Sequence, residues 1–549
     1  MIALDRQDDV WGPRRARIVA GVLAVVFTVI VGRSAFVAVH GPEKGAAPVG
    51  GVVVEKVQRA DIVDARGQLL ATTVPGWSLA ADPRAIWDAG EVASELKTVL
   101  PNIDVIGLTT ALSDKKRQFV WVQRGLSAKD KQAVFDLGVE GLRFEEEPQR
   151  VYPRGRLAGH FLGYTNIDGK GLEGAELAFD ERLKKGGEAL KLTLDASVQF
   201  VVEDELDKAF ADFDMKGAAG IIIDARTGAV RAMASWPAMD PNKRGDQSKD
   251  VRTNRALNSR FELGSIYKPL TVAAAMDAGV LNEADRFDVS VPVKIGAVTV
   301  KDPHVMPGAK AISVADILGF SSNIGVAQIA QRMGPAKQKL FLTSLHLTGG
   351  QSHDGPQFAS PLTPENWDQT AMATIAYGHG ISVSPLAFAM TYTAFASHGQ
   401  YVPPVFLEPI DPAGVKREQV MTPATADAVL KMLRHVVTKG TGANADAPGY
   451  EVAGKTGTAE KPGPDGYDPD KNITSFAAVF PASRPEFVVL IVLDEAQPRT
   501  GDQRTAAYTA AAITGRVIRR AAPLLDVRPV LGASKGEATS LRASEATAQ

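Results

Sequence analysis

Residues 264–269 read Gly-Ser-Ile-Tyr-Lys-Pro, and they place a serine, Ser265, three residues before a lysine, Lys268. Side chains three residues apart lie on the same face of a helix, so this pair would be adjacent. Pro269 is compatible with a helix only in its first turn. We therefore predict that a helix begins at Ser265, whose hydroxyl would lie at the positive end of the helix dipole.

Two further motifs follow in order. Residues 321–323 read Ser-Ser-Asn and residues 455–458 read Lys-Thr-Gly-Thr, and each pattern occurs once in the chain. Taken alone, the Ser-Ser-Asn tripeptide is equally typical of a helix cap or a turn. The serine-x-x-lysine pattern also occurs at Ser94, inside a predicted helix, and at Ser113, in a charged run, and we expect both of those serines to be structural. The combination of the three motifs, rather than any one of them, favours catalysis.

The residue types indicate acyl transfer through a serine. A serine hydroxyl is a poor nucleophile until a base removes its proton, and none of the three motifs contains a histidine. Lys268 is therefore the expected base, but a free lysine has a pKa near 10.4 and must be buried or placed beside a positive charge to act at neutral pH. Lys455 would supply that charge if the third motif closes over the first.

The third motif is typical of an edge strand that accepts an extended peptide. Gly457 would give the substrate close access to the backbone, while Lys455, Thr456 and Thr458 would hold a terminal carboxylate. The backbone N–H groups of Ser265 and Thr458 are the expected donors to an oxyanion.

The second motif has its own expected roles. Ser321 would relay a proton to the leaving amine, and Asn323 would hydrogen-bond Lys268 and the substrate amide.

Composition excludes several other kinds of site. The 61 basic residues nearly balance the 63 acidic ones, so no global field favours nucleic acid. The chain contains no cysteine, which excludes thiolate nucleophiles and cysteine-ligated metals. Its eight histidines are scattered without ligand spacing, and His160 and His379 are expected to be structural. We expect no metal and no cofactor.

The N-terminus carries a long apolar run. Residues 18–39 span 22 positions, about 33 Å as a helix, which is enough to cross a bilayer. Arginines crowd its leading edge, so we expect a cytoplasmic tail at 1–17, a single span at 18–39 and the bulk of the chain outside. A cleaved signal peptide would have a shorter apolar core and a small-x-small cleavage site.

At 549 residues the rest of the chain should contain more than one domain. We predict an irregular pedestal domain at 40–191, a catalytic domain at 192–525 and a disordered tail at 526–549. The catalytic domain should contain a helix at 196–213, a hairpin of strands at 220–223 and 229–234, late strands at 475–480 and 487–493, and a helix from about 505 to 521. This pattern indicates an α+β fold in which helices pack on an antiparallel sheet.

With these motifs the chain resembles a class B penicillin-binding protein over nearly its whole length. Similar family motifs occur at 59–67, 150–153 and 171–176, where we expect structural hinges and domain-docking contacts rather than catalysis. Residues 254–256, 377–381 and 473–481 resemble the division-specific, FtsI-type enzymes. The chain has Leu263 where many relatives have proline, but Leu263 would touch no reacting atom.

The resemblance implies a peptidoglycan D,D-transpeptidase for septal wall synthesis. The D-alanyl-D-alanine end of a stem peptide would acylate Ser265, and an amine on a neighbouring stem would attack the ester. It also implies that β-lactams acylate Ser265, that an FtsW-type polymerase and other division proteins are partners, and that the enzyme lies in the bacterial inner membrane with its catalytic domain in the periplasm.

Other functions fit the sequence less well. A β-lactamase or carboxypeptidase needs a base that directs water, and we find no acidic motif for one. A β-lactam-sensing receptor would have several membrane spans. A scaffold role is compatible with catalysis but would not by itself require all three motifs.

Overall fold

The computed structural model describes residues 12–40, 58–243, 245–303, 310–350, 353–411, 413–463, 466–499 and 504–530. The chain divides into two compact units, residues 1–57 and 58–549. Residues 1–11 of the predicted cytoplasmic tail, the linker at 41–57 and residues 531–549 of the predicted disordered tail lie outside the described residues.

The first unit contains one described helix, α1 (Gly12–His40). Its apolar side chains between Ile18 and Val31 are exposed. In the described part of the chain, no helix combines the length and the apolar character that a membrane crossing requires.

The second unit begins with the pedestal. Its strands are β1 (Ile62–Val63), β2 (Leu69–Ala81), β3 (Val120–Leu126), β4 (Leu142–Val151) and β5 (Leu190–Lys191). Its helices are α2 (Ala89–Val99), α3 (Val105–Ser113), α4 (Ala128–Asp136), α5 (Gly159–Leu162), α6 (Gly174–Ala178) and α7 (Asp180–Lys184). The long strand β2 pairs with both β3 and β4, which makes it the centre of the pedestal sheet.

The catalytic region follows. Its strands are β6 (Phe213–Asp214), β7 (Gly217–Asp224), β8 (Val230–Trp236), β9 (Arg286–Phe287), β10 (Val293–Ile295), β11 (Val298–Val300), β12 (Ile312–Ser313), β13 (Gln400–Tyr401), β14 (Glu418–Gln419), β15 (Ala453–Gly463), β16 (Gly466–Phe480), β17 (Phe487–Asp494) and β18 (Gln497–Pro498). Its α-helices are α8 (Ala196–Asp212), α9 (Lys249–Arg252), α10 (Arg255–Asn258), α11 (Lys268–Asp277), α12 (Val314–Gly319), α13 (Asn323–Met333), α14 (Pro335–Ser344), α15 (Gln369–Ile375), α16 (Pro385–Thr391), α17 (Thr393–Ala396), α18 (Pro423–Lys439) and α19 (Ala510–Ala521). Short 3-10 turns occur at Pro241–Lys243, Gly264–Tyr267, Ala443–Ala445 and Ala522–Leu525.

An antiparallel five-stranded sheet in the order β15-β16-β17-β7-β8 forms the centre of this region. Strand β17 is buried at every position. Its alternate side chains enter two different cores, with Leu490 on one face and Ile491 on the other. Helices α8 and α19 pack in the second core, and α11, α13 and α18 contribute to the first. Helices therefore cover both faces of the sheet, as the α+β prediction requires.

Local signals explain where the helices begin. The Asp195 carboxylate accepts hydrogen bonds from the backbone N–H groups of Ser197 (2.8 Å) and Val198 (3.2 Å), which caps α8 at its predicted start. Helix α19 begins only at Ala510, five residues later than predicted. The hydroxyl of Thr509 instead donates to Thr474 (2.9 Å), so the chain before α19 is fixed by a contact with the sheet.

Candidate active site

Ser265 lies in the 3-10 turn that leads directly into α11, so a helix begins at the predicted place, although its first turn is tighter than an α-helix. Gly264 adopts a φ of +62°, and a Cβ there would lie 2.9 Å from the Thr458 carbonyl oxygen. On the other side, a Cβ on Gly378 would lie 2.1 Å from the Gly264 carbonyl oxygen. Two glycines therefore allow β15 and the segment around Gly378 to hold the serine turn between them.

Lys268 joins the first motif to the second. Its side chain is fully buried, and its Nζ donates hydrogen bonds to the carbonyl oxygen and to the Oγ of Ser321, the latter at 3.0 Å. Ser321 has a φ of +63°, a left-handed conformation that is uncommon for serine. This backbone conformation brings both oxygens of one residue onto the amine.

Lys455, in the third motif, lies close enough to Lys268 for its charge to act on that amine. It is also fully buried, and its Nζ donates to the Thr456 carbonyl oxygen (3.1 Å) and hydroxyl (3.2 Å). Burial, followed by the charge of Lys455, holds the pKa of Lys268 well below its ordinary value, while Asp302 acts in the opposite direction. Burial also lowers the pKa of Lys455, to about 7.

Both amines are therefore in one low-dielectric region, where protonation of one disfavours protonation of the other. Burial lowers the pKa of both amines, and the charge of Lys455 lowers that of Lys268 further, which favours the neutral form of Lys268. This is the electrostatic arrangement expected of a lysine base.

Strand β15 lies at the edge of the sheet, as predicted for the third motif. A Cβ on Gly457 would lie 2.4 Å from the Leu263 carbonyl oxygen and 2.4 Å from the Ser475 Oγ, so only glycine allows this contact with the serine turn. The Thr456 hydroxyl is 2.7 Å from that of Thr441. The Thr458 hydroxyl accepts from the Ala506 N–H at 3.2 Å.

The second motif is held by Asp302, an acid that no sequence motif indicates. Asp302 accepts hydrogen bonds from the Ser322 hydroxyl (2.8 Å) and from the N–H groups of Asn323 (2.5 Å) and Ile324 (3.0 Å). The Asn323 amide donates to the Lys301 carbonyl oxygen at 3.2 Å, rather than to Lys268 as we had expected. Asp302 lies twenty residues before Ser322 in an irregular segment, and no local pattern indicates its role.

The two other serine-x-x-lysine matches are structural. The Ser94 hydroxyl donates to the Gly90 carbonyl oxygen (2.8 Å) inside α2. The exposed Ser113 ends α3 and donates to the Thr109 carbonyl oxygen (2.8 Å). Each bonds its own helix backbone.

The family-like pedestal motifs form a buried ion network. Glu176 is completely buried and accepts from Arg59 (2.7 Å) and Arg150 (2.7 Å), while Arg59 also donates to Asp180 (2.7 Å). From the first motif, Asp64 accepts from the Ala196 N–H at the start of α8 (3.0 Å). These contacts join the motifs to each other and to the catalytic region, in agreement with their predicted structural role.

The two expected structural histidines differ. His160 is buried and bonds the Val251 carbonyl oxygen (2.7 Å), and burial lowers its pKa to about 4. His379 also has a pKa of about 4, because of burial and then of Lys268, but its buried Nδ1 has no hydrogen-bond partner within the described chain.

Residues 218–515 match the family model described as penicillin-binding protein transpeptidase domain. The chain belongs to this family of transpeptidases. Residues 54–196 match the penicillin-binding protein dimerisation domain. These matches confirm the predicted fold class of a transpeptidase domain preceded by a pedestal.

Several known proteins resemble the chain along most of their length. It is 39% identical to the probable peptidoglycan D,D-transpeptidase FtsI of Caulobacter vibrioides, over 86% of this chain and 82% of the relative. It is 29% identical to the peptidoglycan D,D-transpeptidase FtsI of Escherichia coli K12, over 92% and 91%. The crystal structure of penicillin-binding protein 3 from Mycobacterium tuberculosis in complex with aztreonam matches with a TM-score of 0.67 and 25% identity, over 86% of this chain and 98% of that one. The predicted family and serine transpeptidase activity are confirmed.

Proposed function

We propose that this protein cross-links peptidoglycan stem peptides during septal wall synthesis, with Ser265 as its nucleophile and Lys268 as its base. The observation that carries the assignment is the buried pair of lysines. Lys268 bonds Ser321, and its pKa is lowered first by burial and then by the charge of Lys455, so one amine relates all three motifs.

Acylation follows from this arrangement. Lys268 accepts the proton of the Ser265 hydroxyl as Oγ attacks the carbonyl carbon of the penultimate D-alanine. The tetrahedral oxyanion takes hydrogen bonds from the backbone N–H groups of Ser265 and Thr458. As the C–N bond breaks, Lys268 returns the proton through Ser321 to the leaving D-alanine, and the donor remains as an ester on Ser265.

Substrate binding is assigned to the edge of the sheet. An extended stem peptide adds beside β15, because β15 is the edge strand of the sheet. The charged Lys455, with the hydroxyls of Thr456 and Thr458, binds the terminal carboxylate of the donor. β-Lactams carry a carboxylate and a reactive amide in a similar arrangement, so they acylate the same serine.

We further propose that residues 18–39 anchor the protein in the bacterial inner membrane, with the catalytic region in the periplasm. The apolar sequence of this segment and the arginines before it support the anchor. The anchor would allow contact in the membrane with an FtsW-type glycan polymerase and other division proteins.

A thioester ending in D-alanine tests the enzymatic proposal. The full-length protein in detergent should form a covalent donor adduct and transfer the donor to an added amine. Ser265→Ala should form no adduct, whereas Ser94→Ala, the matched change at an uninvolved serine, should react like the parent. Turnover to the hydrolysed acid alone, whatever amine is added, would contradict transpeptidation and indicate a carboxypeptidase.

A further inference from the structure

Beside the serine turn lies a carboxylate that the steps above do not use. Glu262 precedes Ser265 by three residues, and its Oε2 accepts a hydrogen bond from the Tyr467 hydroxyl at 2.9 Å. A backbone hydrogen bond from Gly380 also reaches it. Among the residues that the structure describes, no lysine, arginine or histidine forms an ion pair with Glu262. A half-buried carboxylate without a cation is unusual, because burial of an unpaired charge is costly.

Aromatic rings surround this carboxylate. The His379 ring lies 5.2 Å from that of Tyr377 and 5.3 Å from that of Tyr467, between centroids. Tyr267 is 1% exposed, and its hydroxyl has no hydrogen-bond partner within the described residues. Burial and then the charge of Glu262 raise the pKa of Tyr267, so this hydroxyl lies within the field of the carboxylate.

The acid of this cluster, defined as Glu262, Tyr267, Tyr377, His379 and Tyr467, is Glu262. Burial raises the pKa of its carboxyl, while the hydrogen bonds from Tyr467 and Gly380 favour the ionised form. The low pKa of His379 keeps its ring neutral, and the phenols are protonated because burial raises their pKa values. A carboxylate among aromatic rings is complementary to an alkyl ammonium. The ammonium forms an ion pair with the carboxylate and a cation–π interaction with the rings.

The position of the cluster relates it to the reaction. The Gly264 N–H donates to the Gly378 carbonyl oxygen (3.3 Å), so the segment carrying Tyr377 and His379 runs beside the nucleophile. Lys268 contributes to the lowered pKa of His379, which places the ring within the field of the base. Tyr467 is 45% exposed, and the cluster is therefore open to solvent on that side.

We propose that this cluster binds the ammonium group of the acceptor stem peptide, and that Glu262 takes its first proton. The inference deepens the proposed function and rests on it, since an acceptor is needed only after Ser265 has been acylated. A primary amine is a nucleophile only without its proton, so an acceptor that arrives as an ammonium ion must lose a proton near the ester.

The proton balance of the transfer is then complete. The ammonium gives one proton to the Glu262 carboxylate, which releases it to solvent. The neutral amine attacks the ester carbonyl, the C–N bond forms and the C–Oγ bond breaks. Lys268 accepts the second proton of the amine and returns it to Ser265 Oγ, so the serine is restored and the amide cross-link leaves.

Competition between nucleophiles for one acyl-enzyme tests this assignment. The full-length protein in detergent is acylated with the D-alanine thioester, and 6-aminohexanamide, methanol and water compete for the ester. Glu262→Gln keeps an oxygen to accept the Tyr467 hydrogen bond but removes the charge. We expect it to lower the ratio of aminolysis to hydrolysis by about 100-fold, the range of one acid–base group, and to leave the ratio of methanolysis to hydrolysis unchanged.

Two further variants separate charge from structure. Glu262→Asp retains the charge and should keep the aminolysis ratio within about tenfold of the parent. Glu283→Gln, which removes an exposed carboxylate, should leave every ratio unchanged. An equal loss of aminolysis, methanolysis and hydrolysis in Glu262→Gln, or an unchanged aminolysis ratio, would overturn the inference. If Glu262→Gln fails to fold, the test rests on Glu262→Asp. In that variant, equal losses of aminolysis and methanolysis would show that Glu262 has only a structural role. A parent that forms no acyl-enzyme would refute the proposed function instead.

Discussion

Replacing Lys455 with methionine should make the protein more stable while abolishing acylation. Lys455 is fully buried, and its pKa is about 7 instead of 10.5. Below pH 7 the ammonium is charged in both the folded and the unfolded protein, and the folded protein pays about 5 kcal/mol to keep it buried, since one pH unit is worth about 1.4 kcal/mol. At pH 8 the folded amine is neutral and the cost falls to about 3 kcal/mol.

The sign of the pH dependence follows from proton binding. Between pH 7 and 10.5 the unfolded chain binds the lysine proton and the folded protein does not, so the stability of the parent rises with pH there. Lys455→Met removes this contribution. Its advantage over the parent should therefore be constant below pH 7 and should shrink as the pH rises through the range from 7 to 10.5.

Thermal unfolding of the detergent-solubilised protein measures this difference. At pH 8 we expect the transition of the catalytic region to rise by about 5 °C in Lys455→Met. Lys431→Met, at an exposed lysine on α18, is the matched control and should shift it by less than about 1 °C. A variant less stable than the parent at every pH would refute the reasoning, because it would mean that the bonds of Lys455 to Thr456 outweigh its burial.

Three other changes have defined outcomes. Ser321→Ala retains the left-handed backbone but loses the hydroxyl 3.0 Å from Lys268 Nζ. Penicillin acylation measured by stopped flow should therefore slow by about 100-fold, while the melting temperature stays within about 2 °C. An unchanged rate would exclude Ser321 from the proton path. Gly457→Ala places a Cβ 2.4 Å from the Leu263 carbonyl oxygen and should therefore displace β15. Acylation in the same assay should be lost. A rate equal to that of the parent would contradict this packing. Glu176→Gln leaves the buried Arg150 without its counter-ion, while Arg59 keeps Asp180. It should destabilise the pedestal by about 3 to 5 kcal/mol in urea denaturation, whereas a change below about 1 kcal/mol would show that the network contributes little.

Much of the catalytic region could be predicted because its signals are local. The hairpin predicted at 220–223 and 229–234 occurs as β7 and β8. The late strands predicted at 475–480 and 487–493 occur within β16 and β17, where continuous apolar runs are buried on both faces of the sheet. The three motifs contain their own chemistry: Lys268, three residues after Ser265, contacts Ser321 directly, and the charge of Lys455 acts on Lys268. The roles assigned to them and the domain boundaries stay predictions.

Features fixed by distant contacts could not be predicted. Strand β2 continues through Pro75 and Gly76 to Ala81, although proline and glycine are uncommon inside strands. Pro75 pairs with Pro148 of β4, so two residues that lack an N–H face each other and the ladder continues beyond them. Asp302 forms hydrogen bonds with the second motif, and the cluster around Glu262 combines residues from several segments. In both cases the partners come from separate parts of the sequence, which no spacing rule connects.

The central claim is that Ser265 forms the acyl-enzyme. We would treat the full-length protein with ampicillin, digest it and locate the adduct by peptide mass spectrometry. The account predicts one adduct of the drug's mass on the peptide that contains Ser265, and no adduct in Ser265→Ala. An adduct on another residue, or an undiminished adduct in Ser265→Ala, would contradict it.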